Sequence, residues 1–266
     1  MRTDLRGKVA LITGATSGIG KETALEFAKH GIHLAITGRR EALLNTVAEE
    51  CIQIGLHENQ VLSIPADLTV DSHCKKIVDD TIAKFGKLDF VIANAGKGMS
   101  RTPIKDLDSK TWDDVFNLNL RSIFLLIKYS VPELLKTRGC LVATSSIAGI
   151  RPLPGVAAYN CSKAALDQLI RTAALEYGPQ GVRFNCINPT TTDTEIFENT
   201  FGWTREQSRE YMEVQRGNHP MGRVAQVQDI SKPILFLCSG DASFITGQSL
   251  VVDGGRMTSV PITLPK

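Results

Sequence analysis

Short apolar, β-branched runs alternate with amphipathic stretches along most of the chain. Strand-like runs fall at Val9–Thr13, 33–37, 61–64, Phe90–Ala93, 141–144, 182–187 and Ser249–Val252. Several are apolar at nearly every position, as strands covered on both faces are. Between them apolar residues recur at helical spacing. Ala24, Leu25, Phe27 and Ala28 form one stripe, and Ile77, Val78, Ile82 and Phe85 another. Gly31, Gly55 and Gly86 stand where those helices should end. Seven strands alternating with six helical segments predict an α/β fold, a doubly wound parallel seven-stranded sheet with helices on both faces.

No Ser/Gly/Pro-rich linker or block of charge divides the chain, so residues 1–266 read as one domain. The longest stretch without a strand signal, 190–238, carries Trp203, Tyr211, Met212 and Met221. Near the end of an α/β sheet such a stretch predicts a substrate loop or lid. Pro233, inside a helical pattern that starts near Val227, predicts a kink or an altered start.

Composition narrows the partners. The 266 residues carry 30 Lys and Arg against 28 Asp and Glu, a net charge of +2, which gives no footprint for nucleic acid or an anionic membrane. The longest apolar candidate, residues 123–127, is followed at once by Lys128, far short of the roughly 18 residues a membrane helix needs. Residues 1–7 contain no apolar leader core. Six scattered cysteines form no C-x-x-C pair, which points to reduced, packed thiols and a cytoplasmic protein. The five histidines form no H-E-x-x-H, so no metal is expected.

The most informative local feature is the turn Thr13-Gly14-Ala15-Thr16-Ser17-Gly18-Ile19-Gly20, between the first strand and the first helix. Its glycines let the backbone turn sharply and approach a pyrophosphate, whose charge the helix N-terminus stabilises. A glycine cluster alone is equally a tight turn; the strand–turn–helix context strengthens the cofactor reading. Further on come Asp67-Leu68 after the third strand and Asn94-Ala95-Gly96 at the end of the fourth. Asn119 lies in Asn117-Leu118-Asn119-Leu120, and Ser146 precedes Tyr159 by thirteen residues. Tyr159-Asn160-Cys161-Ser162-Lys163 is a Y-x-x-x-K, and a final strand ends Asp253-Gly254-Gly255. In order and spacing these resemble the short-chain dehydrogenase/reductase family over about residues 5–255.

The resemblance implies a Rossmann-type fold, an oxidoreductase and a homo-oligomer, tetramer or dimer. The apolar helix around Leu166, Leu169 and Ile170, together with the last strand, offers candidate interfaces. Implied cofactor contacts are Gly14, Thr16, Ser17, Gly18, Ile19, Gly20, Asp67, Leu68, Asn94, Ala95, Gly96, Tyr159, Lys163, Pro189, Thr192 and Thr194. The choice of cofactor turns on the end of the second strand. Folds that prefer NAD carry an acid about 20 residues past the glycine turn. Gly38 stands there, followed by Arg39 and Arg40. A 2′-phosphate carries about 1.5 to 2 negative charges, which arginine can bind through two parallel bonds. NADP(H) is therefore expected, with NAD(H) the alternative.

Tyr159 and Lys163 are four apart on an Ala-rich helical segment and share a face. A free tyrosine titrates near 10, and a nearby ammonium should lower that value. The resemblance gives Tyr159 the proton, Ser146 the substrate oxygen, and Lys163 both the ammonium and the nicotinamide ribose. It also has Asn119 hold a water that links Lys163 to solvent. A lone Y-x-x-x-K is ordinarily a surface helix pair; only the full set in order carries the reading. The expected activity is interconversion of a ketone and a secondary alcohol on a small-molecule substrate, in the reductive direction. An NAD-dependent alcohol dehydrogenase and a non-catalytic redox sensor are the alternatives. The family pattern is broken at Thr190 and Ala225, where glycines are usual, and Arg101 could reach an anionic substrate group.

Overall fold

The computed structural model describes residues 5–258. Seven strands form one all-parallel sheet in the order β3-β2-β1-β4-β5-β6-β7. They are β1 (Val9–Thr13), β2 (His33–Gly38), β3 (Val61–Pro65), β4 (Phe90–Ala93), β5 (Cys140–Thr144), β6 (Arg183–Pro189) and β7 (Ser249–Val252). The order reverses between β1 and β4, which opens a crevice at the strands' carboxyl ends. Among the described residues nine α-helices connect them: α1 (Gly18–Lys29), α2 (Glu41–Ile54), α3 (Asp71–Phe85), α4 (Ser109–Phe116), α5 (Ser122–Thr137), α6 (Ala157–Tyr177), α7 (Ile196–Phe201), α8 (Arg205–Arg216) and α9 (Val227–Cys238). This is the predicted doubly wound α/β fold.

The near-continuous apolar strands are explained by two cores. Alternate residues of β1 point to opposite faces, as a strand's period of two requires. Ala10 and Ile12 join Phe27 of α1, Leu44 of α2 and Ile234 of α9. Leu11 joins Ile77 of α3, Leu126 of α5 and Leu166 of α6 on the other face. Leu166 and Ile170 are fully buried there, so they are not available to an interface as the sequence suggested. Leu175, later on α6, Phe244, just before β7, and Val251 of β7 are exposed apolar residues of that region.

The region 190–238 divides. Helix α9 packs against α1, with Ile230, Ile234 and Leu237 buried, so residues 227–238 belong to the core and not to a lid. It runs from Val227 through Pro233 to Cys238. The rest of the region is the α7–α8 pair. Helix α8 has little apolar stripe but is started by a capping box, in which the Thr204 hydroxyl accepts from the Gln207 N–H and the Gln207 side chain accepts from the Thr204 N–H. Phe197, Phe201, Trp203 and Tyr211 pack ring against ring, with centroids 4.7 to 6.2 Å apart. None of the described helices is long and apolar enough to cross a membrane.

Candidate active site

The glycine turn leaves β1 directly beside the end of β4. Gly14 has φ +65°, and a Cβ there would lie 2.9 Å from the Ala95 Cα. A Cβ on Gly20 would lie 2.3 Å from the Gly14 carbonyl oxygen, so only glycine lets α1 start this close to its own turn. The two segments are tied by polar groups. The Thr13 hydroxyl accepts from the Asn94 and Ala95 N–H groups at 2.9 and 3.0 Å. Asn94 Nδ2 donates to the Thr13 carbonyl at 3.0 Å, and the Thr144 hydroxyl donates to Asn94 Oδ1 at 3.1 Å. Asn94 thus fastens β1, β4 and β5 at the switch point.

Ser17 is the N-cap of α1, yet its side chain caps nothing. The first-turn N–H groups therefore face outward unsatisfied by a cap, as an anion site requires. Ser17 and Thr16 hydroxyls instead accept from Arg40 Nη2, both at 3.1 Å. Arg40, rather than Arg39, is the arginine folded over the turn. Arg39 acts on Asp67: burial works against that carboxylate, but bonds from Thr69 and the charge of Arg39 hold it below the usual range. Leu68 is buried beside it. A Cβ on Gly38 would lie 2.6 Å from Thr16 Cγ2, so an acid at that position would need Thr16 to move. The cradle, the open helix start and the arginine fork fit a nicotinamide dinucleotide.

On the β5–β6 side, Ser146 follows β5 in extended backbone, and its hydroxyl accepts from the Ala148 N–H at 3.1 Å. Tyr159 lies in the first turn of α6, near enough to Ser146 for that hydroxyl to favour the ionised phenol. Met99, Val115, Leu107 and Val156 pack around it as a small apolar cluster. Lys163, one turn on, is buried, and its Nζ donates to the Thr144 carbonyl at 2.7 Å. It lies 5.8 Å from the Tyr159 ring centre.

Asn119 is fully buried on a π-helical turn, Asn117–Arg121, inserted between α4 and α5. Such turns push one residue out of helical register and recur at functional sites. Asn119 Oδ1 accepts from the Lys97 N–H at 2.9 Å, and its Nδ2 donates to the Lys97 carbonyl and to Ser162 Oγ. A Cβ on Gly96 would sit 3.3 Å from Asn119 Oδ1 and 3.6 Å from Lys163 Nζ. Gly96 therefore leaves the gap between these two polar groups open. Ser146, Tyr159, Lys163 and Asn119, the four residues named as candidates for catalysis, are thus brought together at the carboxyl ends of β4 and β5.

The electrostatics differ from expectation in one respect. Burial raises the Tyr159 hydroxyl above the ordinary phenol range, and the nearby Ser146 hydroxyl offsets this only in part. Burial lowers Lys163 from 10.5 to about 8, against the raising influence of Cys186 and Asp167. In this state the tyrosine holds its proton firmly, and the lysine is the group that titrates near neutrality.

Pro189 ends β6, and the following threonines build the far wall. Thr192 pairs with Ala225 as an isolated bridge, and the Thr192 hydroxyl donates to the Thr190 carbonyl at 2.9 Å. Thr194 packs 3.1 Å from where a Gly18 Cβ would be, which brings this wall to the glycine turn. Thr190, absent from the usual pattern, has a structural partner. His219 Nδ1 lies 2.8 Å from the Gln215 carbonyl, so that nitrogen carries the proton. Nε2 then accepts from the Thr190 hydroxyl, 2.8 Å away. Arg256 donates to Thr191 Oγ1 at 2.8 Å and to Gln215 Oε1 at 2.9 Å. These bonds fasten α8 to the end of β6. Arg101 is exposed, and its loop is joined to the next one by the Thr102 N–H bond to the Gly155 carbonyl. His219, Arg256, Asp167 and Asn188 were not signalled by motif. For Asp167 the available signal was a charge within the apolar stripe Leu166, Ile170 and Ala173.

A family model described as Enoyl-(Acyl carrier protein) reductase matches residues 14–257. The A-factor type gamma-butyrolactone 1'-reductase (1S-forming) of Streptomyces virginiae is 35% identical over 253 residues, covering 94% of this chain and 96% of that protein. A short-chain dehydrogenase/reductase of unknown function from Caenorhabditis elegans, solved with cofactor, superposes with a TM-score of 0.92 at 32% identity. That match covers 97% of this chain and 98% of the other. The 3-ketoacyl-(acyl-carrier-protein) reductase from Brucella melitensis, complexed with NADH, gives a TM-score of 0.84 at 31% identity over 95% and 99% of the two chains. A doubly wound sheet with a dinucleotide cradle at its switch point defines the class, and the chain belongs to the short-chain dehydrogenase/reductase family. It is an oxidoreductase of that family.

Proposed function

We propose that the chain reduces a ketone to a secondary alcohol with NADP(H) as its nicotinamide cofactor. The observation that carries the reading is the convergence of Tyr159, Ser146 and the Lys163 ammonium at the carboxyl end of β5, with Lys163 Nζ 5.8 Å from the Tyr159 ring centre and bonded to the Thr144 carbonyl. Two hydroxyls so placed can both donate to one carbonyl oxygen. Tyr159 keeps its proton through neutral pH, so it is poised as the acid that protonates that oxygen. Lys163, charged below about pH 8, stabilises the phenolate left behind. Asn119 and Gly96 hold open the gap beside Lys163 through which its proton can be replaced. Gly14, Gly18, Ile19, Gly20 and the α1 N-terminus hold the pyrophosphate. Asp67 and Leu68 would hold the adenine end, Asn94, Ala95 and Gly96 the stretch between, and Pro189, Thr192 and Thr194 the carboxamide. Bound there, the cofactor supplies the hydride.

NADP(H) is favoured by the Arg40 fork over Thr16 and Ser17, by Arg39 beside it, and by the absence of a carboxylate at Gly38. The related reductase complexed with NADH favours the second reading, an NAD(H)-linked enzyme on the same site. Comparing kcat/KM for NADPH and NADH with one carbonyl substrate decides. A tenfold or greater preference for NADPH is expected, and a preference for NADH overturns the assignment. A homo-oligomer belongs to the same reading, and light scattering tests it directly.

A further inference from the structure

We propose that Asp167 and Asn188 form a buried positioning pair that keeps Lys163 charged and Ser146 in place. The inference rests on the roles given above to Tyr159, Lys163 and Ser146. Asp167 lies one helical turn beyond Lys163 on α6 and is 3% exposed. Asn188, fully buried on β6, donates from Nδ2 to two acceptors. One is Asp167 Oδ2 at 2.9 Å, and the other is the Ser146 carbonyl at 3.0 Å. One amide thus joins the carboxylate behind the lysine to the backbone of the serine in front of it.

Two atoms of the pair, Asp167 Oδ1 and Asn188 Oδ1, have no hydrogen-bond partner among the described residues. A carboxylate enclosed in the core, with Cys186 as a further neighbour, is a costly placement that packing alone does not account for. Its charge has one evident use. The titratable groups facing Lys163 are Tyr159 and Asp167 on its own helix and Cys186 on β6. Elements β4, β5 and the π-turn present Gly96, the Thr144 carbonyl and Asn119, none of which titrates. Burial and the neighbouring Asp167 push the Cys186 thiol well above its ordinary range, while Lys163 and Arg171 pull it the other way. Asp167, one helical turn from Lys163 and enclosed with it, is the carboxylate that joins Cys186 in opposing the desolvation of Lys163. Without it the ammonium would lose its proton at lower pH.

The experiment follows kcat/KM of NADPH-dependent carbonyl reduction from pH 6 to pH 10 in wild type, Asp167→Asn and Asn188→Ala. Loss of the carboxylate should move the alkaline limb from near pH 8 down by about one pH unit, a displacement typical of losing one nearby opposite charge. Asn188→Ala keeps the charge, so its limb should stay while kcat falls several-fold through Ser146. A folded Asp167→Asn protein with an unmoved limb overturns the proposal. Should Asp167→Asn fail to fold, Asn188→Ala carries the test, and an unchanged kcat overturns it. Failure of the underlying reading looks different: Tyr159→Phe would then turn over normally, whatever the limb does.

Discussion

The buried Lys163 makes a prediction about stability that is separate from any assay of turnover. Its fall from 10.5 to about 8 corresponds to about 3 kcal/mol of burial cost at about 1.4 kcal/mol per pH unit. The sign follows from linkage. Above pH 10.5 the lysine is neutral in both folded and unfolded chains, and the cost vanishes. Between pH 10.5 and about 8 the unfolded chain binds the proton first, so stability falls as pH falls. Below about pH 8 both states are charged, and the full cost applies. Lys163→Met keeps much of the side-chain length and removes the charge. It also removes the donor to the Thr144 carbonyl, a loss of about 1 to 3 kcal/mol that does not depend on pH. The measurement is urea unfolding of wild type and Lys163→Met at intervals from pH 7 to pH 10.5. The stability of the variant relative to wild type should decline by about 3 kcal/mol across that range. Activity should be lost throughout. Parallel curves, or a variant that gains on wild type as pH rises, would refute the account of a desolvated ammonium.

Three further outcomes follow from the same contacts. Arg40→Ala should raise KM for NADPH about tenfold and leave KM for NADH within about twofold, since only the 2′-phosphate needs the guanidinium; steady-state kinetics with both cofactors checks this. Thr190→Val should cost about 1 to 3 kcal/mol in urea unfolding, because His219 Nε2 loses its donor in a buried place. Burial also lowers the pKa of His219 below its ordinary 6.5, so stability is lost as pH falls below that value, and His219→Leu should weaken that acid sensitivity.

How much of this was legible beforehand depended on whether the signal was local. Strands β1, β4 and β7 lie where their apolar runs end, and β5 begins one residue earlier, at Cys140. Strand β6 runs on to Pro189 because Asn188 and Pro189 continue the register with Val251 and Val252. A buried asparagine gives no apolar signal; its place is set by Ser146 and Asp167, residues far away in the chain. Helix α8 was obscured for another reason: it is polar almost throughout, and only its Thr204–Gln207 capping box marks it. Asn119 was found by motif, but the π-turn that aims it depends on packing between α4, α5 and α6. The glycine turn was legible because steric exclusion at Gly14 and Gly20 acts over a few residues. The choice of Arg40 over Arg39, the Thr190–His219 bond and the raised Tyr159 hydroxyl were not, because each depends on side chains brought together only by the fold.

The central claim is that Tyr159 delivers the proton in an NADPH-dependent reduction. The most direct test measures NADPH consumption against a panel of ketones by wild type and Tyr159→Phe, with NADPH binding to both followed by fluorescence titration. The account predicts turnover of at least one ketone by wild type, a loss of at least a hundredfold in kcat for the variant, and NADPH affinity within about threefold. A Tyr159→Phe protein that binds NADPH and reduces the same ketone at the wild-type rate would contradict it.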